Sequence, residues 1–184
     1  MITAVPLGLD GLFEIIPARF ADARGCFAQT WNNADFTAAG IASRFVQDNH
    51  VHNAARGTVR GLHYQVPPKA QDKLVRVVRG SIFDVAVDLR RSSPTFGKWA
   101  ALIVSAEKWN QLFVPRGFAH GYLAREDDTD IVYKVSDAYS PAHERSIRFD
   151  DAALGIDWPI AAGEVRLSAR DRDASDFLSA EVFD

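Results

Sequence analysis

Apolar residues in the middle of the chain recur at every second position in short blocks. Residues 74–78, 82–89, 99–104, 111–115 and 130–136 each read as a β-strand, some by alternation and 99–104 as a short continuous apolar run. The blocks lie roughly 8–12 residues apart with Gly, Pro, Ser and Asn between them, the spacing of an antiparallel sandwich or barrel. In 82–89, Asp84 and Asp88 share one face with Ile82 and Ala86, while Phe83, Val85, Val87 and Leu89 form the other. That second face is expected to be core. Helical signals are weak: 33–39 reads as a short capped helix and 105–109 as a single turn. No long repeat, low-complexity stretch or Gly/Ser linker breaks the pattern, so residues 1–184 are expected to form one mainly β domain.

Composition narrows this picture. With 184 residues, 47% of them hydrophobic, the chain is long enough to bury a core without staples. The single cysteine, Cys26, excludes an intramolecular disulfide and fits a reducing compartment. The N-terminus lacks a basic region before its apolar residues, and no segment approaches the roughly 18 apolar residues of a membrane span. A cytoplasmic protein with no membrane partner is therefore expected. A net charge of −3 with both signs scattered leaves no basic stripe for a nucleic acid.

The candidate chemistry gathers in two stretches, RGLHYQ (60–65) and VPRGFAHGY (114–122), each placing a histidine shortly after a glycine. This is the layout of the cupins, which implies a double-stranded β-helix (jelly-roll) barrel with a few short helices. The second cupin motif is present as Pro115, Gly117 and His120. The first departs from the metal-binding pattern: Gln65 stands where a second histidine is expected, and residues 66–70 contain no acid. Lys73 adds a positive charge nearby, which repels a divalent cation. No bound metal is expected, and acid–base chemistry takes its place.

Longer stretches make the resemblance specific. FADARGCF (20–27), FVQDNH (45–50), GTVRGLHYQ (57–65), QDKLVRVVRGSIFDVAVDLR (71–90), SPTFGKW (93–99), VPRGFAHGY (114–122), YKVSDAYSP (133–141), IDWP (156–159) and LSARD (167–171) follow one another in register. Together they resemble the dTDP-4-dehydrorhamnose 3,5-epimerase family of nucleotide-sugar epimerases. The resemblance implies epimerisation at C3 and C5 of a dTDP-4-dehydro-6-deoxyhexose, with no cofactor. A 4-keto sugar has weakly acidic C–H bonds at both positions, so the reaction needs a base, an acid on the opposite face, and a group that stabilises the enolate.

The family pattern makes His63 the base, oriented by Asp171, with Asp173 as a competing carboxylate in the same charged run. Lys73 is the electrophile for the C4 oxyanion and Tyr133 the opposite-face acid. Arg24 and Arg60 are assigned to the diphosphate, and Gln47, Asn49, His120 and Tyr139 to the surroundings of the sugar or base. Gln29 belongs to the same substrate shell, although relatives usually carry glutamate there; Val51 and Asn53 stand where serines are common. The resemblance also implies a homodimer: N-terminal strands at about 1–45 reach a partner, the barrel core spans about 46–140, and 141–184 form a C-terminal segment.

Each candidate also has an ordinary reading. His63 could be a structural histidine, Lys73 an edge-strand lysine that blocks sheet addition, Tyr133 a cross-strand aromatic and Tyr139 a loop anchor. The arginines could simply pair with acids, and His120 could only shape the barrel mouth. Three alternative functions follow: an epimerase inverting C3 alone on a related 4-keto sugar, a non-catalytic cupin that binds sugar nucleotides, and a metal-dependent cupin enzyme. The joint presence of His63, Lys73, Tyr133 and Asp171 speaks against the second, and Gln65 against the third.

Overall fold

The alternating blocks become strands whose ends fall within one residue of those expected. In the computed structural model, which describes residues 1–184, the first half of the chain forms β1 (Ile2–Pro6), β2 (Phe13–Pro17), β3 (Arg19–Asp22), β4 (Gly25–Ala28), α1 (Asn33–Ala38), β5 (Gln47–Asn53), β6 (Val59–Gln65), β7 (Lys73–Arg79) and β8 (Ser81–Asp88). There follow β9 (Trp99–Ser105), β10 (Gln111–Val114), β11 (Phe118–Ala124), β12 (Thr129–Val135), β13 (Glu144–Ser146) and α2 (Ala169–Arg172). No helix is long and apolar enough to cross a membrane.

Two antiparallel sheets carry the molecule: a six-stranded one ordered β1-β2-β10-β7-β12-β5 and a five-stranded one ordered β13-β6-β11-β8-β9. They face one another as a jelly roll. Val75, Val77 and Ile131 of the first sheet pack against Ile82, Ala86, Phe118 and Tyr122 of the second. Outside the first sheet, Ile15, Leu74 and Phe113 are covered by Phe36 of α1, Ile41, Trp31 and Phe45. Outside the second, Leu62, Tyr64, Val85, Val87 and Leu89 are covered by Leu154, Ile156, Trp158, Phe177 and Phe183 of the C-terminal segment. The first sheet thus begins well before residue 46, because β1 and β2 extend it through β10. Helix α1 starts as its sequence suggests: Asn32 Oδ1 accepts from the N–H groups of Ala34 and Asp35.

The face of β8 expected to be core is core, and so is the opposite one, because the C-terminal segment covers the outer face while the opposite sheet covers the inner one. Asp84 and Asp88 are therefore fully buried, and a buried carboxylate demands partners. Asp88 has a full set: Arg90, Ser93 and Thr95 all donate to it. Burial alone would raise its pKa, yet these bonds hold it down at about 2.

Candidate active site

His63 sits on β6 directly opposite His120 on β11, and beyond that pair the register slips, so that Tyr122 lies opposite Arg60. The slip matters because Arg60 and His63 are three residues apart, and regular alternation would send them to opposite faces. Gly61 makes it sterically feasible: at φ 123°, a Cβ there would lie 2.5 Å from Gly121 Cα. Gly61 lies within β6, and it allows β6 and β11 to approach closely.

His63 Nε2 lies 2.5 Å from Asp171 Oδ1. A carboxylate can only accept, so Nε2 carries the proton and Nδ1 is left without a protein partner. Asp171 is held on the first turn of α2 by Ser168, whose hydroxyl accepts from the Asp171 N–H and donates to Asp171 Oδ2. Burial alone would raise the Asp171 pKa, but the bonds from His63, Ser168 and the Gly61 N–H outweigh it and hold the carboxyl below its ordinary range. Asp173 is exposed and caps the end of the helix. Asp171 is thus the carboxylate that reaches His63.

Lys73 opens β7, an interior strand between β10 and β12. The edge-strand reading fails on that placement. Its Nζ donates to the His63 carbonyl at 3.1 Å, which leaves two N–H groups free. Burial pushes its pKa down to about 8, although Glu144 and Asp84 favour the charged form. Tyr133 faces the same interior from β12, packed against the core. Burial and Glu144 raise its pKa, with Arg60 opposing, so the phenol is protonated at neutral pH. His120 Nε2 lies 2.6 Å from Asp84 Oδ1. Gln65, at the position of a cupin metal ligand, uses its amide on backbone groups of Lys69, Ala138 and Ser140.

At the rim, the Tyr139 hydroxyl donates to Glu144 Oε2 at 2.6 Å, and Arg170 pairs with the same oxygen at 2.7 Å. Burial alone would raise the Glu144 pKa, but Arg170, Tyr139 and His63 together lower it. Glu144 and Arg170 were not legible as site residues; the only signal is that Arg170 is the basic residue of LSARD. Gln47 donates to Asn49 at 2.8 Å and accepts from the Tyr139 N–H, tying these three rim residues together.

Two candidates stand apart. Arg24 lies in the β3–β4 hairpin, a separate two-stranded sheet, and pairs only with Asp22. Gln29 follows the hairpin and donates to Asp35. Neither joins the barrel site within one chain.

A family profile described as dTDP-4-dehydrorhamnose 3,5-epimerase matches residues 6–179. The dTDP-4-dehydrorhamnose 3,5-epimerase of Pseudomonas aeruginosa is 47% identical over 173 residues, covering 94% of this chain and 93% of the relative. Among solved structures, the Legionella pneumophila dTDP-6-deoxy-D-glucose-3,5-epimerase in complex with dTDP-4-keto-L-rhamnose superposes with a TM-score of 0.93 at 40% identity, covering 98% of this chain and 95% of that one. A 3'-monoepimerase from Streptomyces bikiniensis, bound to dTDP-quinovose, is similar at a TM-score of 0.85 and 35% identity, covering 93% and 86%.

Proposed function

The chain belongs to the dTDP-4-dehydrorhamnose 3,5-epimerase family, and we propose that His63, Asp171, Lys73 and Tyr133 are the groups with which it epimerises C3 and C5 of dTDP-4-dehydro-6-deoxy-D-glucose. One observation carries this assignment: His63 lies between Leu62 and Tyr64, which pack on the outer face of its sheet, so it turns to the interior that Tyr133 faces from the other sheet. A sugar ring held between the sheets meets a base on one face and an acid on the other, which inversion requires.

His63 Nδ1 takes the proton α to the C4 carbonyl, while Asp171 stabilises the imidazolium through Nε2. Negative charge passes to the C4 oxygen, where the free N–H groups of Lys73 meet it in a nearly dry site. Tyr133 delivers its proton to the opposite face of the same carbon, and solvent restores both groups before the second centre reacts. No metal or added cofactor enters this sequence, in keeping with the engagement of Gln65 by loop backbones.

Arg60, beside Tyr133, is assigned to the diphosphate. Arg24 is assigned there as well, carried by the hairpin of a second copy in a homodimer; the exposed Phe20 and Phe27 of that hairpin support the reading, since they need a surface to cover them. The lone Cys26 accords with a cytoplasmic enzyme.

Proton NMR of dTDP-4-dehydro-6-deoxy-D-glucose with the protein in deuterated water tests the reaction. Exchange and inversion at both C3 and C5 are expected. Exchange at C3 alone would make the chain a 3-epimerase, like the Streptomyces relative, and no exchange would leave only binding.

A further inference from the structure

Asn53 closes β5 almost completely buried, at 1% exposure, and both its side-chain oxygen and its side-chain nitrogen are hydrogen-bonded. Its Oδ1 accepts from Arg60 Nε at 3.0 Å and from the Tyr122 hydroxyl at 3.3 Å, and its Nδ2 donates to the Thr129 carbonyl at 3.2 Å. Three strands, β5, β6 and β11, thus meet at one amide, and β12 holds it in place.

Arg60 forms no ion pair within the chain, unlike Arg90 with Asp88, Arg116 with Asp72 and Arg170 with Glu144. Its Nε shares the Asn53 oxygen with the hydroxyl of Tyr122, a residue of the core between the sheets, and this places the guanidinium on the interior side of β6. A guanidinium offers two edges for bidentate contact, one formed by Nε with a terminal nitrogen and one by the two terminal nitrogens. Asn53 occupies the first through Nε.

We infer that Asn53 is a positioning residue for the diphosphate: by holding Arg60 through Nε, it presents the two terminal nitrogens together to the anionic oxygens. The inference rests on the reading of Arg60 as a diphosphate ligand. An arginine without this hold would order its side chain only on binding, and that ordering would weaken the complex.

The test is a double-mutant cycle on dTDP affinity by calorimetry, with thymidine as the probe lacking phosphate. Arg60→Ala should weaken dTDP binding by more than roughly tenfold, as expected for losing hydrogen bonds to a charged group, and Asn53→Ala by about three- to tenfold, the usual net worth of a single hydrogen bond. In the Arg60→Ala background, Asn53→Ala should cost nothing further, because its route to the ligand is gone. Thymidine should bind all four proteins alike, and Asn53→Ala should raise KM in turnover. Equal losses in both backgrounds, or a matching loss for thymidine, would show that Asn53 acts through the fold and overturn the inference. Unchanged dTDP affinity in Arg60→Ala would instead remove Arg60 from the diphosphate site. If Asn53→Ala does not fold, Asn53→Leu runs the same cycle, since a side chain of similar size without an acceptor also releases Nε.

Discussion

Two histidine–aspartate pairs face each other across β6 and β11, and by distance they are nearly alike: 2.5 Å for His63–Asp171 and 2.6 Å for His120–Asp84. Their surroundings differ. Asp171 comes from the C-terminal segment, and a serine hydroxyl and a backbone amide complete its bonding. Asp84 comes from a central strand, is fully buried, and has one oxygen, Oδ2, with no partner. The His63 side chain is 28% exposed and that of His120 10%. An imidazole that can meet substrate, backed by a fully bonded carboxylate, suits repeated proton transfer. A buried pair with an open valence is a part of the fold that leans on the site.

Four tests bear on that contrast. The largest effect is expected at His63: His63→Asn should reduce exchange at C3 and C5 by about 10²–10⁴-fold, the usual worth of a general base. Proton NMR in deuterated water reads it, and residual exchange near the native rate would transfer the role to His120. Tyr133→Phe should suppress inversion by a smaller factor while exchange persists, because His63 can return a solvent-derived proton to the original face. Equal losses of exchange and inversion would remove Tyr133 as the opposite-face acid.

The third test compares the two carboxylates directly. Asp84→Ala should destabilise the protein by about 3–5 kcal/mol, as breaking a buried pair does, whereas Asp171→Asn should lower the rate with little change in stability. Urea unfolding alongside the NMR assay separates the two, and equal stability losses would erase the distinction.

The smallest effect concerns pH. Lys73 must be protonated to stabilise the enolate, so activity should fall as pH rises through about 8, the value to which burial lowers its pKa. Stability moves the other way. Between about 8 and 10.5 the unfolded chain binds a proton at Lys73 that the folded chain does not, so this group makes the fold more stable as pH rises across that window. Lys73→Met should abolish both trends, and an alkaline limb that persists in that variant would belong to another group.

The sequence by itself determined five strands of the jelly roll, β7 to β10 and β12, because side-chain patterning and turn residues are properties of neighbours along the chain. It also isolated His63, Lys73, Tyr133 and Asp171 through their motifs. Tertiary structure decided what those residues meet. Whether Asp171 or Asp173 reaches His63 depends on how α2 docks against a strand 108 residues earlier. That Arg60 and His63 share a face depends on the register slip between β6 and β11. Lys73 leaves the edge only because β10 and β12 pair on either side of it, and Glu144 enters the site only because β13 joins β6. Each of these is set by pairing between distant segments, where one residue of register reverses the face a side chain takes, and no local pattern encodes that choice.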